Sequence, residues 1–221
     1  MSVIDQYSLD LPPNPAKMSR ADFIFTEANR ADLDTLDAWG RSDDFALAIC
    51  GAPSSGKTHL AAILCEQLVG EMIQVAEDGG IDRVADGPLF IIDGLERLTR
   101  PNLLLEAVER ARSSCNRLVL VGRGDPKHWA QGLRDLETRL GAISRLTVSP
   151  PDEELLGSVM VKLFADLQVS IKENIVAYAV PRLPRSLDAT AAYVAQLYDL
   201  AVKERKPITI ALARRVIDKE I

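Results

Sequence analysis

The chain has 221 residues, 47% of them hydrophobic and 26% charged, and a formal net charge of −6. That is ample apolar material for a packed core, and too acidic a balance for a protein that coats nucleic acid by broad phosphate neutralisation. Cys50, Cys65 and Cys115 cannot all pair with one another and each lies in an apolar or helical stretch, so reduced thiols are expected in place of a disulfide framework.

Residues 1–20 read as an extended tail, because Pro12, Pro13 and Pro15 block helix and sheet alike. The tail opens without a basic start or an apolar run, and no stretch of the chain approaches the roughly 18 apolar residues of a membrane span, so a cytoplasmic protein without membrane contact is expected. From residue 21 to 150 the pattern is that of an α/β core. Phe45 to Cys50, Met72 to Ala76, Leu89 to Asp93, Leu118 to Val121 and Leu146 to Val148 are five short apolar runs. Such runs suit buried parallel strands. Thr58 to Val69 and Pro101 to Ser113 have helical spacing between them, the latter with proline suited to its first turn. Alternating strands and helices predict a five-stranded parallel sheet with helices on both faces. After Pro150 and Pro151 the strand signal stops. Asp152 to Leu167, Lys172 to Val180, Arg185 to Arg205 and Thr209 to Lys219 predict a small four-helix unit over residues 151–221.

The chemistry is concentrated in Gly51-Ala52-Pro53-Ser54-Ser55-Gly56-Lys57-Thr58, a full G-x-x-x-x-G-K-[ST] motif between a strand and a helix. Its glycines turn backbone N–H groups toward a pyrophosphate, Lys57 reaches the β and γ phosphates, and the Thr58 hydroxyl ligates Mg²⁺. The helix that follows, beginning at Thr58-His59, adds its positive N-terminal dipole. ADP or ATP with Mg²⁺ is therefore the expected ligand. Phe90-Ile-Ile-Asp93 is an apolar strand ending in an acid at the right distance downstream to hold the magnesium shell. The next position is Gly94, and Glu96 lies two residues further on.

These residues, in this order, resemble the AAA+ ATPases and within them the DnaA-related branch. Phe23-Ile-Phe25-Thr-Glu-Ala-Asn29-Arg30 resembles the segment that lines the adenine pocket there. Asp135-Leu-Glu-Thr-Arg139-Leu140 resembles the box with the arginine finger, and Leu183-Pro-Arg185-Ser-Leu-Asp-Ala189 resembles the segment opening a lid helix, with Arg185 at the sensor-2 position. The resemblance implies that Phe25, Asn29, His59 and Arg185 join the cradle in binding nucleotide and that Arg139 acts on a partner's nucleotide. By residue type alone, Arg139 and Arg185 would be solvated or capping arginines. The basic residues Lys203, Arg205, Lys206, Arg214 and Arg215 would likewise be solvated helix faces.

Departures from the branch narrow the function. AAA+ enzymes commonly carry a second acid where Gly94 stands, so hydrolysis by this chain alone should be slow or absent. Arg123 takes the place of a sensor-1 acid, for which Asp125 is the substitute at hand. The stretch from Glu77 to Gly87 leaves little room for the DNA-engaging helices of DnaA, and the sequence ends after the expected lid with no helix-turn-helix region. In the tail, Gln6-Tyr-Ser-Leu9-Asp-Leu11 resembles the peptide that docks on the bacterial sliding clamp, where a Gln makes polar contacts and two apolar side chains fill adjoining pockets. Together these features resemble the regulatory inactivators of DnaA. Implied partners are DnaA and the sliding clamp, with DNA met only through the clamp and a homo-oligomer allowed. Two other classes fit the core: a stand-alone ATPase such as a helicase loader, and a nucleotide-binding adaptor that stimulates no hydrolysis.

Overall fold

The structure is a computed structural model in which residues 18–82 and 87–220 are described. Gln6, Leu9 and Leu11 lie outside the described residues. Five strands, β1 (Ala46–Gly51), β2 (Glu71–Gln74), β3 (Leu89–Asp93), β4 (Arg117–Arg123) and β5 (Ser144–Val148), form one parallel sheet in the order β2-β3-β4-β1-β5. Strand β1 shows why its sequence is apolar throughout. Leu47 and Ile49 enter one core with Leu60, Ile63 and Leu64, whereas Ala46, Ala48 and Cys50 enter the other with Leu104, Val108 and Trp129. With both faces covered, no position of the strand is left to be polar.

Helices α1 (Arg30–Arg41) and α2 (Lys57–Gln67) cover the first face, and α3 (Pro101–Ser113) and α4 (Arg134–Gly141) the second. Helix α1 has no counterpart among the expected elements. It buries Leu33, Leu36 and Trp39, three apolar residues at three-residue intervals on an otherwise charged segment, a stripe too sparse to stand out in sequence. Strand β2 stops at Gln74, short of the expected Ala76. The Ala76 amide donates to the Gly80 carbonyl at 3.0 Å, closing a tight turn in place of a strand ladder.

Beyond β5 come α5 (Glu153–Asp166), α6 (Glu173–Ala179), α7 (Leu187–Glu204) and α8 (Ile210–Glu220). Asp152 caps α5 by accepting from Leu155 N at 2.8 Å, and Ser186 caps α7 by accepting from Ala189 N at 3.3 Å. These helices share their own apolar cluster, built on Met160, Phe164, Tyr193, Leu197 and Ala213. Among the described residues, no helix is long and apolar enough to cross a membrane.

Candidate nucleotide site

Gly51 ends β1 where its neighbour β5 also ends. A Cβ at Gly51 would strike the Val148 carbonyl, so only glycine lets the chain leave the sheet here. The loop then runs through Ala52, Pro53, Ser54, Ser55 and Gly56 into α2, whose first residues are Lys57 and Thr58. Lys57 is buried and its ammonium donates to the Ala52 carbonyl. Burial pushes its pKa below the usual value, Glu96 and Asp93 pull it back, and Arg123 opposes them. The Ser55 hydroxyl is buried and, among the described residues, has no hydrogen-bond partner. A buried lysine with one carbonyl partner and an orphaned hydroxyl beside a helix N-terminus are groups that a phosphate would satisfy. The nucleotide therefore fits the residues present.

Thr58 Oγ1 donates to Asp93 Oδ2 at 2.8 Å, and Gln74 Nε2 donates to the same oxygen at 2.9 Å. The hydroxyl and carboxylate expected to serve Mg²⁺ thus touch. One or two protein oxygens with phosphates and water completing the shell is how this ion is commonly held. Bound there, it would offset phosphate charge.

Gly94, directly after Asp93, has a left-handed backbone with φ 89° and starts a short turn over Leu95–Arg97. That turn carries Glu96 back toward the sheet. Its carboxylate accepts from the Arg123 backbone N–H at 3.2 Å and pairs with the Arg123 guanidinium at 3.2 Å. In the β1–β4 register Arg123 lies beside Gly51, so this ion pair borders the start of the cradle. Asp125 does not take the place of Arg123. It accepts from Lys127 N at 2.9 Å and pairs with Arg145 at 3.0 Å, and those two contacts hold its carboxyl below the usual carboxylate range.

A cavity opens beside the loop between the segment before α1 and helix α5. Phe23, Asn29, Gly56, His59, Leu155 and Leu187 are among its walls. Phe25, expected here, is outside: it is 51% exposed, with the Arg30 guanidinium 4.8 Å from its ring centre. The cause lies in Asn29, whose amide donates to the Ile24 carbonyl at 2.8 Å and accepts from Thr26 N at 2.9 Å. These bonds pull in the backbone on either side of Phe25 and leave its ring outward, so Phe23 and Ile24 line the cavity instead. Asn29 lines it too, though both ends of its amide serve the backbone. The rings of His59 and Phe23 meet nearly at right angles, centres 5.1 Å apart, and His59 Nε2 lies 3.0 Å from the Ser19 carbonyl.

The C-terminal helices contact the loop directly. The Leu187 amide donates to the Ser54 carbonyl at 3.2 Å, and the Ser54 hydroxyl donates to the Asp188 carboxylate. Arg185 is not a wall of the cavity. It is exposed and pairs with Glu153 at 3.5 Å. Lys162 of α5 pairs with Asp22 at 3.2 Å across the cavity mouth, a link between residues 140 apart in sequence that no local motif signals. Arg139 stands on α4, paired with Glu109 at 2.9 Å and Asp135 at 3.1 Å.

Domain III of the replication initiation protein DnaA from Thermotoga maritima superposes with a TM-score of 0.74 at 17% identity, covering 94% of this chain and 98% of that one. The Thermotoga maritima RuvB Holliday junction branch migration motor gives 0.67 at 17% identity, over 91% of this chain and 71% of its own. The replication initiator DnaA bound to AMPPCP and single-stranded DNA gives 0.67 at 13% identity, over 87% and 69%. No family model matches the sequence, and neither does any curated protein. At such identities the likeness is one of fold: a five-stranded parallel sheet with flanking helices and a helical C-terminal region.

Proposed function

We propose that this chain is an Hda-type negative regulator of replication initiation. In this reading residues 21–150 bind ADP or ATP with Mg²⁺, and residues 151–221 form a lid over the nucleotide. Residues 1–20 tether the protein to the sliding clamp through Gln6, Leu9 and Leu11. Lys57 and the loop amides hold the phosphates, while Thr58 and Asp93 serve the metal. Arg139 enters the nucleotide site of a neighbouring DnaA, where a guanidinium offsets charge that develops on the phosphoryl group as water attacks.

The observation that carries the reading is the combination of an intact cradle with Gly94 in a left-handed conformation. The cradle is built to hold nucleotide, yet the chain turns away where a water-polarising acid would follow Asp93. A nucleotide-binding protein so built acts best on another protein's nucleotide. The Arg139 position supports this, since its ion pairs are with Glu109 and Asp135 on the core's own helices.

The test is hydrolysis of DnaA-bound ATP with DNA-loaded clamp, with and without this protein. Stimulation that disappears when Gln6, Leu9 and Leu11 are all replaced by Ala, while ADP binding survives, supports the reading. Two apolar anchors at roughly 1.5–3 kcal/mol each correspond to several decades in clamp affinity. Brisk ATP turnover by the purified chain without DnaA would favour a stand-alone ATPase.

A further inference from the structure

Two carboxylates line the cavity beside the cradle, and their surroundings differ. Asp22 is satisfied: Ser19 Oγ donates to it at 2.9 Å and Lys162 pairs with it at 3.2 Å, and both contacts lower its pKa. Asp32, in the first turn of α1, is half-buried, and among the described residues it makes no hydrogen bond or ion pair. Burial alone pushes its carboxyl above the usual value. A carboxylate held part-way out of water without a donor is costly unless a ligand supplies one.

The ends of the cavity fix which part of a nucleotide that ligand group would be. Ser55 and Gly56 mark the phosphate end, where the loop enters α2. Phe23, Ile24, Ala28 and Asn29 form the wall from which α1 springs, and Asp32 is one turn on from Ala28. Leu155, Val159 and Leu163 of the lid face the same cavity. An aromatic base suits this largely apolar end, and Asp32 is an acceptor there without a partner among the described residues.

Resting on the nucleotide reading of the site, we propose that Asp32 selects for a 6-aminopurine. Its carboxylate accepts a hydrogen bond from the exocyclic amine of the base. Lacking that amine, a purine leaves the acceptor desolvated and unpaired, and recognition built on a buried polar group rejects such a ligand strongly.

The experiment compares ADP with purine riboside 5′-diphosphate, the same ligand without the 6-amine, by calorimetry on the full chain. Wild type should prefer ADP by about ten- to hundredfold, the usual value of a hydrogen bond to a charged group. In Asp32→Ala that ratio should collapse to near one, with purine riboside diphosphate bound at least as well as by wild type. Asp32→Asn keeps the volume and a neutral acceptor, so it should retain an intermediate ratio and guards against misfolding of the alanine variant. An unchanged ratio in both variants, or equal loss of both ligands, overturns the proposal while leaving the cradle intact. Failure of wild type to bind either ligand would overturn the nucleotide reading itself, and this inference with it.

Discussion

The Ser54 hydroxyl, inside the phosphate loop, donates to the Asp188 carboxylate in the first turn of α7, and the Leu187 amide donates back to the Ser54 carbonyl. Ser54 itself has a left-handed backbone, φ 51°. A single left-handed residue of the loop therefore holds the first turn of α7. If phosphate shifts the loop, these two hydrogen bonds would carry the shift to α7.

Asp188→Ala tests that link. One hydrogen bond to a carboxylate contributes at most about 1.5–3 kcal/mol, less than the roughly 5–15 kcal/mol that holds a domain folded, so the fold should survive. The expected change is local: faster amide hydrogen exchange in the first turns of α7 and weaker protection of those amides by ADP. Exchange at α7 that still responds to ADP as in wild type would mean the lid is coupled to the loop elsewhere, with the Lys162–Asp22 pair the next candidate.

Lys57→Ala should fold and lose nucleotide. The buried ammonium already has its charged form disfavoured by burial, so its removal relieves a cost as well as opening space. A ligand at a hundred times its Kd stabilises the native state by about 2.7 kcal/mol. Wild type should therefore melt several degrees higher in excess ADP or ATP, and the variant should not. Equal shifts for both proteins would remove the cradle from the mechanism.

Much of this was legible in sequence because it depends on contiguous patterns. All five strands, the one ending at Asp93 among them, are runs in which composition carries the signal, and they appear within a few residues of where expected; the loop that starts at Gly51 likewise runs from β1 into α2. What was not legible depends on contacts between distant segments. The outward turn of Phe25 follows from two bonds made by Asn29. Glu96 reaches Arg123 only because Gly94 is left-handed, and Asp125 is engaged by Arg145, 20 residues away. That Asp32 has no partner among the described residues is likewise a property of the packed cavity and not of its neighbours in the chain.

Gly94 leads to a prediction about hydrolysis. Turnover of ATP by the isolated chain should be close to background. Gly94→Glu should not restore it, although it writes in the acid that the motif lacks. The left-handed backbone costs a non-glycine residue about 1–2 kcal/mol, and the new Cβ also meets the Arg97 guanidinium, which would have to swing aside. Denaturant titration should show that loss for Gly94→Glu and a smaller one for Gly94→Asn, since asparagine tolerates this conformation better. A Gly94→Glu protein as stable as wild type with rapid turnover would show that the backbone relaxes to the strand conformation.

Arg139 gives the prediction on which the proposed regulation depends. Its guanidinium is gripped by Asp135 one helical turn earlier on α4 and by Glu109 on α3, and both contacts favour its charged form. These pairs hold the fork between α3 and α4, and in the proposed reading its charge serves a partner's nucleotide. Arg139→Ala should therefore leave melting temperature, ADP affinity and clamp binding near wild type, yet abolish stimulation of DnaA-bound ATP hydrolysis. Arg139→Lys should recover little, because an ammonium lacks the planar fork that engages two phosphate oxygens at once. Glu109→Gln separates holding from catalysis: with one clasp removed, Arg139 keeps its charge and its reach, so stimulation should persist and its dependence on DnaA concentration should shift. Arginine fingers are worth about 10³–10⁵ in rate in the GTPase systems, and a smaller effect of the same kind is expected here. The decisive measurement is the rate of ADP formation on DnaA with DNA-loaded clamp and either wild-type or Arg139→Ala protein. Undiminished stimulation by the variant would make Arg139 an ordinary surface residue, tied to its two carboxylates for the sake of α4 alone.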